Sequence, residues 1–483
     1  MGKCLSWGAI FHNDRASNAH SALWVSLTSS RCEHRQRTAV KVAVELPNRS
    51  RVPDSYNVAI IGGGPAGLLA AQRLSSAGAK VNIYEQMRTP GLKFLIAGRG
   101  GLNLTHSEPL ERFSSRYGGS CEGAMRRMLC TFGPEEMRGW AGGLGFETFV
   151  GSSRRVFPAP PLMDKAAPVL RRWLAYLEES GVQLHTQQRW DGFVEVHQDR
   201  EDDQPPPLRI VDSCGVEHIV HADAILLALG GASWAKLGSD GKWASKLEAM
   251  GVSVTALRPN NVGFKVPWSS EYALCHAGTP VKDVQLAFEG HSSRGDLMVT
   301  SEGIEGGAVC ALSSLIVASQ AASTTAAVLH IDLRPGMSRS EVAKRLSKPA
   351  LRKASFSSRL KKALKMPPVV AGLIRHAAGH DVAMLRDPEK LAEIVKDVPL
   401  QLGACHGFDS AISSSGGVAV DAFQDGTLML RRLPGVFVAG EMMDWEAPTG
   451  GYLLTGTFAS AHAAASDILE WARKQNGAAM AVE

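Results

Sequence analysis

The regular pattern of apolar and polar positions begins at Tyr56. Val58–Ile61 is a short, continuous apolar run, which is typical of a parallel strand buried on both faces. The glycines that follow predict a turn, the residues after them suit a helix that ends near Gly78, and Lys80–Tyr84 suits a second strand. The pattern predicts a βαβ unit.

Further along the chain the pattern predicts two kinds of region. Helices are expected at about 121–144 and 164–180, strands near 182–186, 192–196, 208–211 and 217–220, and a buried strand that ends in glycines at 222–232. A β-rich unit follows, with strands at about 262–266, 281–289 and 296–301 and a helical stretch at about 338–396. From about 406 the first pattern returns, with strands around 417–420 and 436–439 and a final helix to about 475.

This order predicts an α/β protein with one discontinuous, Rossmann-type nucleotide-binding domain. Its two parts are residues 54–260 and 406–483, and residues 261–405 form an insert with a helical subdomain at about 338–396. A length of 483 residues with 45% hydrophobic residues suffices for two or three cores. The net charge of +5 does not by itself indicate a nucleic-acid partner.

Cysteine spacing and apolar runs narrow the protein class. None of the eight cysteines forms a C-x-x-C pair, so neither a metal site nor a secreted disulfide framework is predicted, and a reducing compartment is expected. No run approaches the roughly 18 apolar residues that span a bilayer. We therefore expect a soluble, intracellular protein.

Residues 1–53 form an N-terminal extension of different composition. They carry eight Lys or Arg residues against three acids and lack periodicity. Three interpretations stay open: a transit peptide for a mitochondrion or plastid, an acylated anchor suggested by the opening "MGKCLS", and a disordered extension of a cytoplasmic protein.

The first βα turn carries the dinucleotide pattern G-x-G-x-x-G. Each glycine has a distinct physical role: Gly62 permits the tight turn, Gly64 lets the backbone approach a pyrophosphate, and Gly67 lets helix and strand pack closely. Pro65 and Ala66 open the helix, whose N-terminal amides favour a diphosphate. Eighteen residues after Gly67 a glutamate, Glu85, ends the second strand and would bind the adenosine ribose. An ordinary glycine-rich turn with a surface glutamate is the alternative.

A glycine-rich segment near the C-terminus favours FAD over NAD, because a flavin needs a second set of contacts far along the chain. An acid directly follows the apolar run 436–439, and further glycines precede the last helix. Backbone amides at a helix N-terminus stabilise the reduced flavin. The predicted contacts here are Gly440, Glu441, Gly450, Gly451, Tyr452 and Leu453, with Gly230 near the adenosine.

The chain resembles the BaiN/RdsA family of NAD(P)/FAD-dependent oxidoreductases, and within that family it resembles a bacterial subgroup. The motifs that carry the resemblance are "AIIGGGPAGLLAA", "GLKFLIAGRGGLNLTHSEP", "ALGGASWAKLGSDG", "LRPNNVGF" and "GVFVAGEMMDWEAPTGGYLLTGTFASA". The resemblance implies a glutathione-reductase-like FAD domain that holds a β-barrel-like and helical insert. It also implies that some relatives reduce carbon–carbon double bonds.

The resemblance implies flavin-binding residues in the loop after the second strand: Lys93, Arg99, Gly100, Gly101 and Asn103. The loop "GRGGLN" departs from the family's usual G-G-G-R-C-N, since its arginine lies earlier and it has no cysteine. We therefore expect no cysteine chemistry there.

Candidate catalytic groups surround the C-terminal flavin segment. Asp444 or Glu446 is a candidate acid, Trp445 a candidate for stacking on substrate or flavin, and Tyr452 a candidate proton donor. Loop packing is the alternative for each, and His106 is expected to support its loop rather than carry protons. The chain has one dinucleotide pattern, so NAD(P)H as electron donor stays open.

The segment 337–376 is basic, with eleven Lys or Arg residues against Glu341. It is either a solvated face or a patch for RNA, an anionic membrane or substrate phosphates. The sequence thus favours an FAD-dependent oxidoreductase whose small, largely apolar substrate binds between the FAD domain and the insert. A flavin-dependent RNA-modifying protein, and a flavoprotein that has lost catalysis, are the alternatives. Substrate identity and oligomeric state are not predicted.

Overall fold

The computed structural model describes residues 56–97, 101–163, 165–194, 204–323, 326–379 and 382–480. The predicted extension 1–53, with its three interpretations, lies outside these residues and stays a prediction. The predicted flavin contacts Arg99 and Gly100 also lie outside them.

The first part of the chain alternates strands and helices. Its elements are β1 (Asn57–Ile61), α1 (Pro65–Ser76), β2 (Lys80–Glu85), α2 (Leu92–Ala97), β3 (Thr105–His106), α3 (Leu110–Ser114), α4 (Glu122–Thr131), α5 (Pro134–Gly143), β4 (Thr148–Val150), β5 (Arg155–Pro158), α6 (Ala166–Glu179), β6 (Gln183–Thr186), β7 (Gln188–Phe193), β8 (Leu208–Asp212), β9 (Glu217–Val220), β10 (Ala224–Leu227), a 3-10 turn (Ala235–Leu237), α7 (Trp243–Glu248) and β11 (Val254–Asn260).

The middle part builds a second sheet and a group of helices. Its elements are β12 (Phe264–Lys265), α8 (Ser270–His276), β13 (Thr279–Phe288), β14 (His291–Val299), β15 (Gly303–Glu305), α9 (Gly307–Cys310), α10 (Ser313–Ala322), β16 (Val328–Asp332), α11 (Arg339–Leu346), a 3-10 turn (Pro349–Leu351), α12 (Phe356–Leu364), α13 (Pro368–Ala377), α14 (Val382–Arg386), α15 (Pro388–Lys396) and β17 (Val398–Gln401). The last part holds β18 (Ser413–Val418), 3-10 turns (Val420–Ala422 and Gly440–Met442), β19 (Val436–Val438) and α16 (Tyr452–Met480).

A five-stranded parallel sheet, in the order β19–β10–β1–β2–β6, organises the first and last parts. Val58 of β1 lies between Ala224 of β10 and Val81 of β2, and Leu227 of β10 pairs with Val438 of β19. The carboxyl ends of parallel strands share one edge, which is where α/β proteins bind ligands. The segments that follow β1, β2, β10 and β19 therefore meet at that edge. The predicted α/β fold is confirmed.

Two local predictions need correction. The helical pattern at 121–144 forms two helices, because the backbone at Gly133 is extended and Pro134 starts a new helix. The backbone N–H of Gly133 donates to Glu136 Oε2 at 2.8 Å, which closes the start of α5. The strand expected at 417–420 lies earlier and pairs antiparallel with β11 in a separate two-stranded sheet.

The insert sheet closes on itself. Its order is β12–β15–β14–β13–β16–β17, and the residues after β17 return to β12. Phe264 bridges Cys405, the N–H of Lys265 donates to Ala404 O at 3.0 Å, and the N–H of Gly403 donates to Lys265 O at 2.8 Å. The antiparallel strands thus form a small barrel without a free edge at this point.

The described residues bury two hydrophobic cores. One draws on residues 56–252 and 418–472, and the other on residues 264–402. The predicted boundaries near 260 and 405 fall between these cores but stay predictions. No described helix is both long and apolar enough to cross a membrane.

The carboxyl group of Asp467, on α16, is expected to make the stability of the protein depend on pH. Burial raises the pKa of Asp467 to about 6 from its ordinary 3.8, although its Oδ2 accepts a hydrogen bond from the N–H of Leu428 at 2.7 Å. Between about pH 4 and 6 the folded chain therefore holds a proton that the unfolded chain releases, and its stability falls as pH rises through this window. We expect Asp467→Asn to reduce this fall, measured by thermal unfolding at pH 5 and pH 7. An unchanged pH dependence in Asp467→Asn would contradict this assignment.

Candidate functional site at the carboxyl edge of the parallel sheet

The three glycines of the first βα turn occupy different environments. Gly62 has φ +109°, and a Cβ there would lie 2.3 Å from Ala228 O. A Cβ at Gly67 would lie 2.0 Å from Gly62 O, which shows how closely α1 approaches the turn. A Cβ at Gly64, by contrast, has no atom within 4 Å. The turn is therefore packed at Gly62 and Gly67 and open at Gly64.

The N-terminus of α1 faces this open side. Pro65 is its first residue, Ala66 is buried, and no side chain caps the first turn. Uncapped amides at a helix N-terminus, together with the helix dipole, form a site for a diphosphate.

Glu85 lies beside the same turn. Its Oε2 accepts from the N–H of Gly63 at 2.7 Å, and its Oε1 accepts from the N–H of Met87 at 2.7 Å. Burial raises the pKa of Glu85, and these two hydrogen bonds lower it in part. The carboxylate is thus fixed at the end of β2, while its predicted contact with a ribose stays a prediction.

Gly230 follows β10 at the same edge. It has φ +72°, and the Nε1 of Trp243 donates to its carbonyl oxygen at 2.8 Å. A Cβ at Gly230 would lie 3.2 Å from Ser239 Oγ, a buried hydroxyl with no hydrogen-bond partner among the described residues.

An ion pair joins segments far apart in sequence. Lys93 Nζ lies 2.7 Å from Glu441 Oε2 and also donates to Ser233 Oγ at 2.8 Å. Glu441 Oε1 accepts from the N–H of Ser414 at 2.9 Å. The segments that follow β2, β10 and β19 therefore meet strand β18 at this ion pair, which includes two of the predicted cofactor contacts.

Asn103 offers an unused polar atom. Its Oδ1 is buried and has no hydrogen-bond partner in the described part of the chain. Gly101, two residues before Asn103, has φ +131°, and a Cβ there would lie 3.0 Å from the Phe157 ring. Buried polar atoms are nearly always paired, so an unpaired one needs an explanation such as a ligand.

The glycines of the C-terminal segment serve mainly to pack it against the first domain. A Cβ at Gly440 would lie 2.9 Å from Ala66 Cβ, and one at Gly451 would lie 2.5 Å from Thr105. Gly450 has φ +117°, and the half-buried Leu453 lies in the first turn of α16. The two predicted halves of the cofactor site are therefore in contact.

All four catalytic candidates have hydrogen-bond partners, and those of three fix the C-terminal segment. Asp444 Oδ2 accepts from Thr255 Oγ1 at 2.8 Å. The buried Trp445 donates from Nε1 to Gly440 O at 2.8 Å. Glu446 Oε1 accepts from Ser314 Oγ at 2.6 Å, and burial raises its pKa. These contacts fix the segment, and a catalytic role for the three stays a prediction.

Tyr452, the fourth candidate, lines a cavity. Its hydroxyl donates to Glu108 Oε1 at 2.5 Å, and its ring stacks on His106 with centroids 5.4 Å apart. Burial raises the pKa of Tyr452, and the bond to Glu108 raises it further, which makes the phenol a weak proton donor. The N–H of Glu108 donates to His106 Nδ1 at 3.2 Å, and this hydrogen bond fixes the His106 ring within its own loop.

Sequence reasoning missed Glu108, Arg116 and Arg155. Glu108 lies within the motif "GLKFLIAGRGGLNLTHSEP", two residues after His106, so its position was a usable signal. The two arginines carried no local signal. Arg155 reaches the cavity because it pairs with His106 in the β3–β5 ladder.

These residues fit FAD on three observations. The turn is open at Gly64 beside uncapped helix amides, the amide oxygen of Asn103 is buried without a partner, and Lys93 and Glu441 form an ion pair between the two predicted halves. A long dinucleotide with a diphosphate and a polar ring edge matches this donor set.

Comparison with known proteins agrees with this fit. Residues 56–467 match the family described as HI0933-like protein Rossmann domain. The chain is 28% identical over 437 residues to a 3-dehydro-bile acid delta(4,6)-reductase of Clostridium scindens, covering 84% of this chain and 97% of the relative. It is 25% identical over 427 residues to a ribosomal RNA dihydrouridine synthase of Escherichia coli K12, covering 86% and 98%.

Among solved structures, the open conformation of a flavocytochrome c3 fumarate reductase covers 87% of this chain and 79% of its own, with 16% identity and a TM-score of 0.46. The resemblance stated from the motifs is confirmed, and the cofactor is FAD. The chain belongs to the HI0933-like family, the BaiN/RdsA group of FAD-dependent oxidoreductases.

Proposed function

We propose that this protein reduces a carbon–carbon double bond conjugated to a carbonyl in a small substrate, with NAD(P)H as the reductant. The observation that carries the proposal is the contact between the two halves of the cofactor site, Gly440 on Ala66 and Glu441 on Lys93. The names of two relatives support the reaction type. One reduces a delta(4,6)-unsaturated 3-dehydro bile acid, and the other makes dihydrouridine, which is uridine with one double bond reduced.

When bound, FAD supplies a ring that accepts a hydride from one partner and gives it to another. The chain's own residues hold and orient it. The open turn at Gly64 and the amides of α1 would bind the diphosphate, and Glu85 would bind the ribose. The Lys93–Glu441 ion pair would hold the two halves of the cofactor site together, and the Asn103 amide would be a further cofactor contact.

The test is an absorbance spectrum of the purified protein, followed by anaerobic titration with NADH and with NADPH. We expect a flavin spectrum, bleaching by at least one of the two nucleotides, and recovery of the colour on addition of an α,β-unsaturated ketone. A colourless protein that cannot be reconstituted with FAD would end the proposal. A bound flavin that no nucleotide reduces would exclude NAD(P)H as the donor.

One observation favours RNA modification as a second candidate function. The basic segment divides into α11, a 3-10 turn, α12 and α13 rather than one long helix. Within it seven exposed cations have no ion pair among the described residues: Lys344, Lys348, Arg352, Lys353, Lys361, Lys362 and Lys365.

The salt dependence of RNA binding separates the two candidates. RNA contact through these cations predicts affinity that falls by roughly one power of salt for each phosphate bound. Replacing both Lys361 and Lys362 with Gln should lower the slope by about two. Flavin turnover on a small enone without RNA, together with RNA binding that is undetectable at low salt, would leave only the first candidate.

A further inference from the structure

We propose that the cavity beside Tyr452 is an anion subsite. It binds the carboxylate or phosphate group of the ligand that reacts at the flavin site, with Arg155 as the residue that recognises this group. The inference rests on the proposed function, because it names a chemical feature of the substrate or of the reductant.

The cavity is large enough for such a group. Its volume is about 240 Å³, and it is lined by His106, Arg116, Ser153, Arg155, Pro448, Thr449, Gly450 and Tyr452. The lining includes two guanidinium groups and three hydroxyls, which are the donors that oxyanions prefer in proteins.

Arg116 is compensated by a neighbouring acid. Its Nε and Nη2 donate to the two oxygens of Glu108, each at 3.2 Å, and Tyr452 donates to the same carboxylate. Burial raises the pKa of Glu108, but the hydrogen bonds from Arg116 and Tyr452 outweigh it and keep the pKa below its usual range. Glu108 therefore stays ionised and is fully occupied by its two partners.

Arg155 has no such partner. It is exposed, and the described part of the chain gives it no ion pair. Its Nε lies 3.6 Å from the position of a Cβ at Gly450, so the guanidinium lies against the C-terminal flavin segment.

His106 does not balance this charge. Its Nδ1 accepts a hydrogen bond from the N–H of Glu108, and burial lowers its pKa, although the Glu108 carboxylate and a hydrogen bond with the Ser153 backbone raise it in part. A neutral imidazole is therefore the form present at neutral pH. The four facing groups, Arg116, Glu108, Arg155 and His106, leave one uncompensated positive charge.

The position of the cavity relates it to the flavin. Gly450 and Tyr452 line it, and both belong to the segment predicted to contact the flavin. An anion held by Arg155 therefore belongs to a ligand next to that segment rather than to a remote surface site.

The test titrates the full-length, FAD-loaded protein with inorganic phosphate and, separately, with succinate, using calorimetry and the flavin absorbance spectrum. We expect at least one of the two oxyanions to bind the wild-type protein. Arg155→Gln should weaken that binding at least tenfold, and Arg155→Lys should keep part of it because the charge remains. Arg112→Gln is the matched control: it removes another exposed arginine that does not line the cavity.

Binding of neither oxyanion to the wild-type protein would overturn the proposal. So would Arg155→Gln binding as tightly as wild type, or an equal loss in Arg112→Gln. Thermal unfolding shows whether each variant is folded. If Arg155→Gln is unfolded, the oxyanion affinity of Arg155→Lys, which should lie below that of the wild type, decides the question.

Two further measurements identify the source of the anion. If the anion is a phosphate group of the nucleotide, added inorganic phosphate competes with NADPH. Arg155→Gln then raises the NADPH concentration at which half of the flavin is reduced. If it is a substrate carboxylate, NADPH is unaffected and succinate slows reoxidation by an unsaturated carboxylic acid. Calorimetry detects anion binding without a flavin signal and is repeated on protein that holds no flavin, so failure of the FAD assignment and failure of the anion subsite give different results.

Discussion

The variant Gly67→Ala is expected to lose both stability and FAD. A Cβ at this position would lie 2.0 Å from the carbonyl oxygen of Gly62 and 3.1 Å from the side chain of Ile60. The oxygen is backbone, so α1 must move away from the turn to make room. Overpacking of a core contact typically costs 1–3 kcal/mol, and we expect about 3 kcal/mol here. Chemical denaturation of the apoprotein and the flavin content after purification measure the two effects.

Gly64→Val is the matched control for Gly67→Ala. The backbone at Gly64 is extended, with φ −79°, and a Cβ there meets no atom within 4 Å. Because the side chain starts in open space, we expect the stability of the folded apoprotein to change by less than about 1 kcal/mol. It would occupy the space left for the diphosphate, so the affinity for FAD should fall at least tenfold. Normal FAD content in Gly64→Val would contradict the proposed position of the diphosphate.

The variant Glu441→Gln is expected to weaken FAD binding and to lower stability. Its carboxylate pairs with Lys93 and accepts from the N–H of Ser414, and the two charged side chains are only 25% and 16% exposed. Removing one partner of a buried ion pair costs 3–5 kcal/mol, and partial exposure reduces the expected cost to about 2 kcal/mol. Denaturation of the apoprotein and the dissociation constant of FAD provide the measurements.

A double-mutant cycle isolates the pair itself. Lys93→Met removes the charge and keeps the length of the side chain. The double variant Lys93→Met, Glu441→Gln should lose less stability than the sum of the losses in the two single variants, by about 1 kcal/mol or more. Additive effects would show that the two side chains do not act as a pair, and the orienting role given to them would then fail.

The sequence predicted the first βα turn well because its signal is local. The spacing of Gly62, Gly64 and Gly67, with Glu85 at the end of the next strand, fixes a turn through backbone geometry within about 30 residues. The α/β class followed from the apolar runs for the same reason. The break at Gly133 was missed because the helical periodicity continues across it, although the dipeptide Gly133–Pro134 was a usable local signal for the start of a new helix.

The catalytic candidates were harder to predict. Polar and aromatic residues in a glycine-rich segment suggest chemistry, but Asp444 and Glu446 use their polar atoms to hold the segment to other parts of the chain, and Trp445 donates to Gly440 within the segment. The distant partners Thr255 and Ser314 are not evident from local spacing. The structure instead places Tyr452 at a cavity, where its hydroxyl donates to Glu108, which is 344 residues away.

The sequence by itself predicted the βαβ turn from glycine spacing that sets local geometry, FAD from a second glycine-rich segment near the C-terminus, and the family from the resemblance of its motifs. Only the tertiary structure decided which distant segments meet. Lys93 contacts Glu441 across 348 residues, and the insert barrel closes between Phe264 and Cys405. Such contacts depend on strand order and register in the whole sheet, and local periodicity carries no information about either.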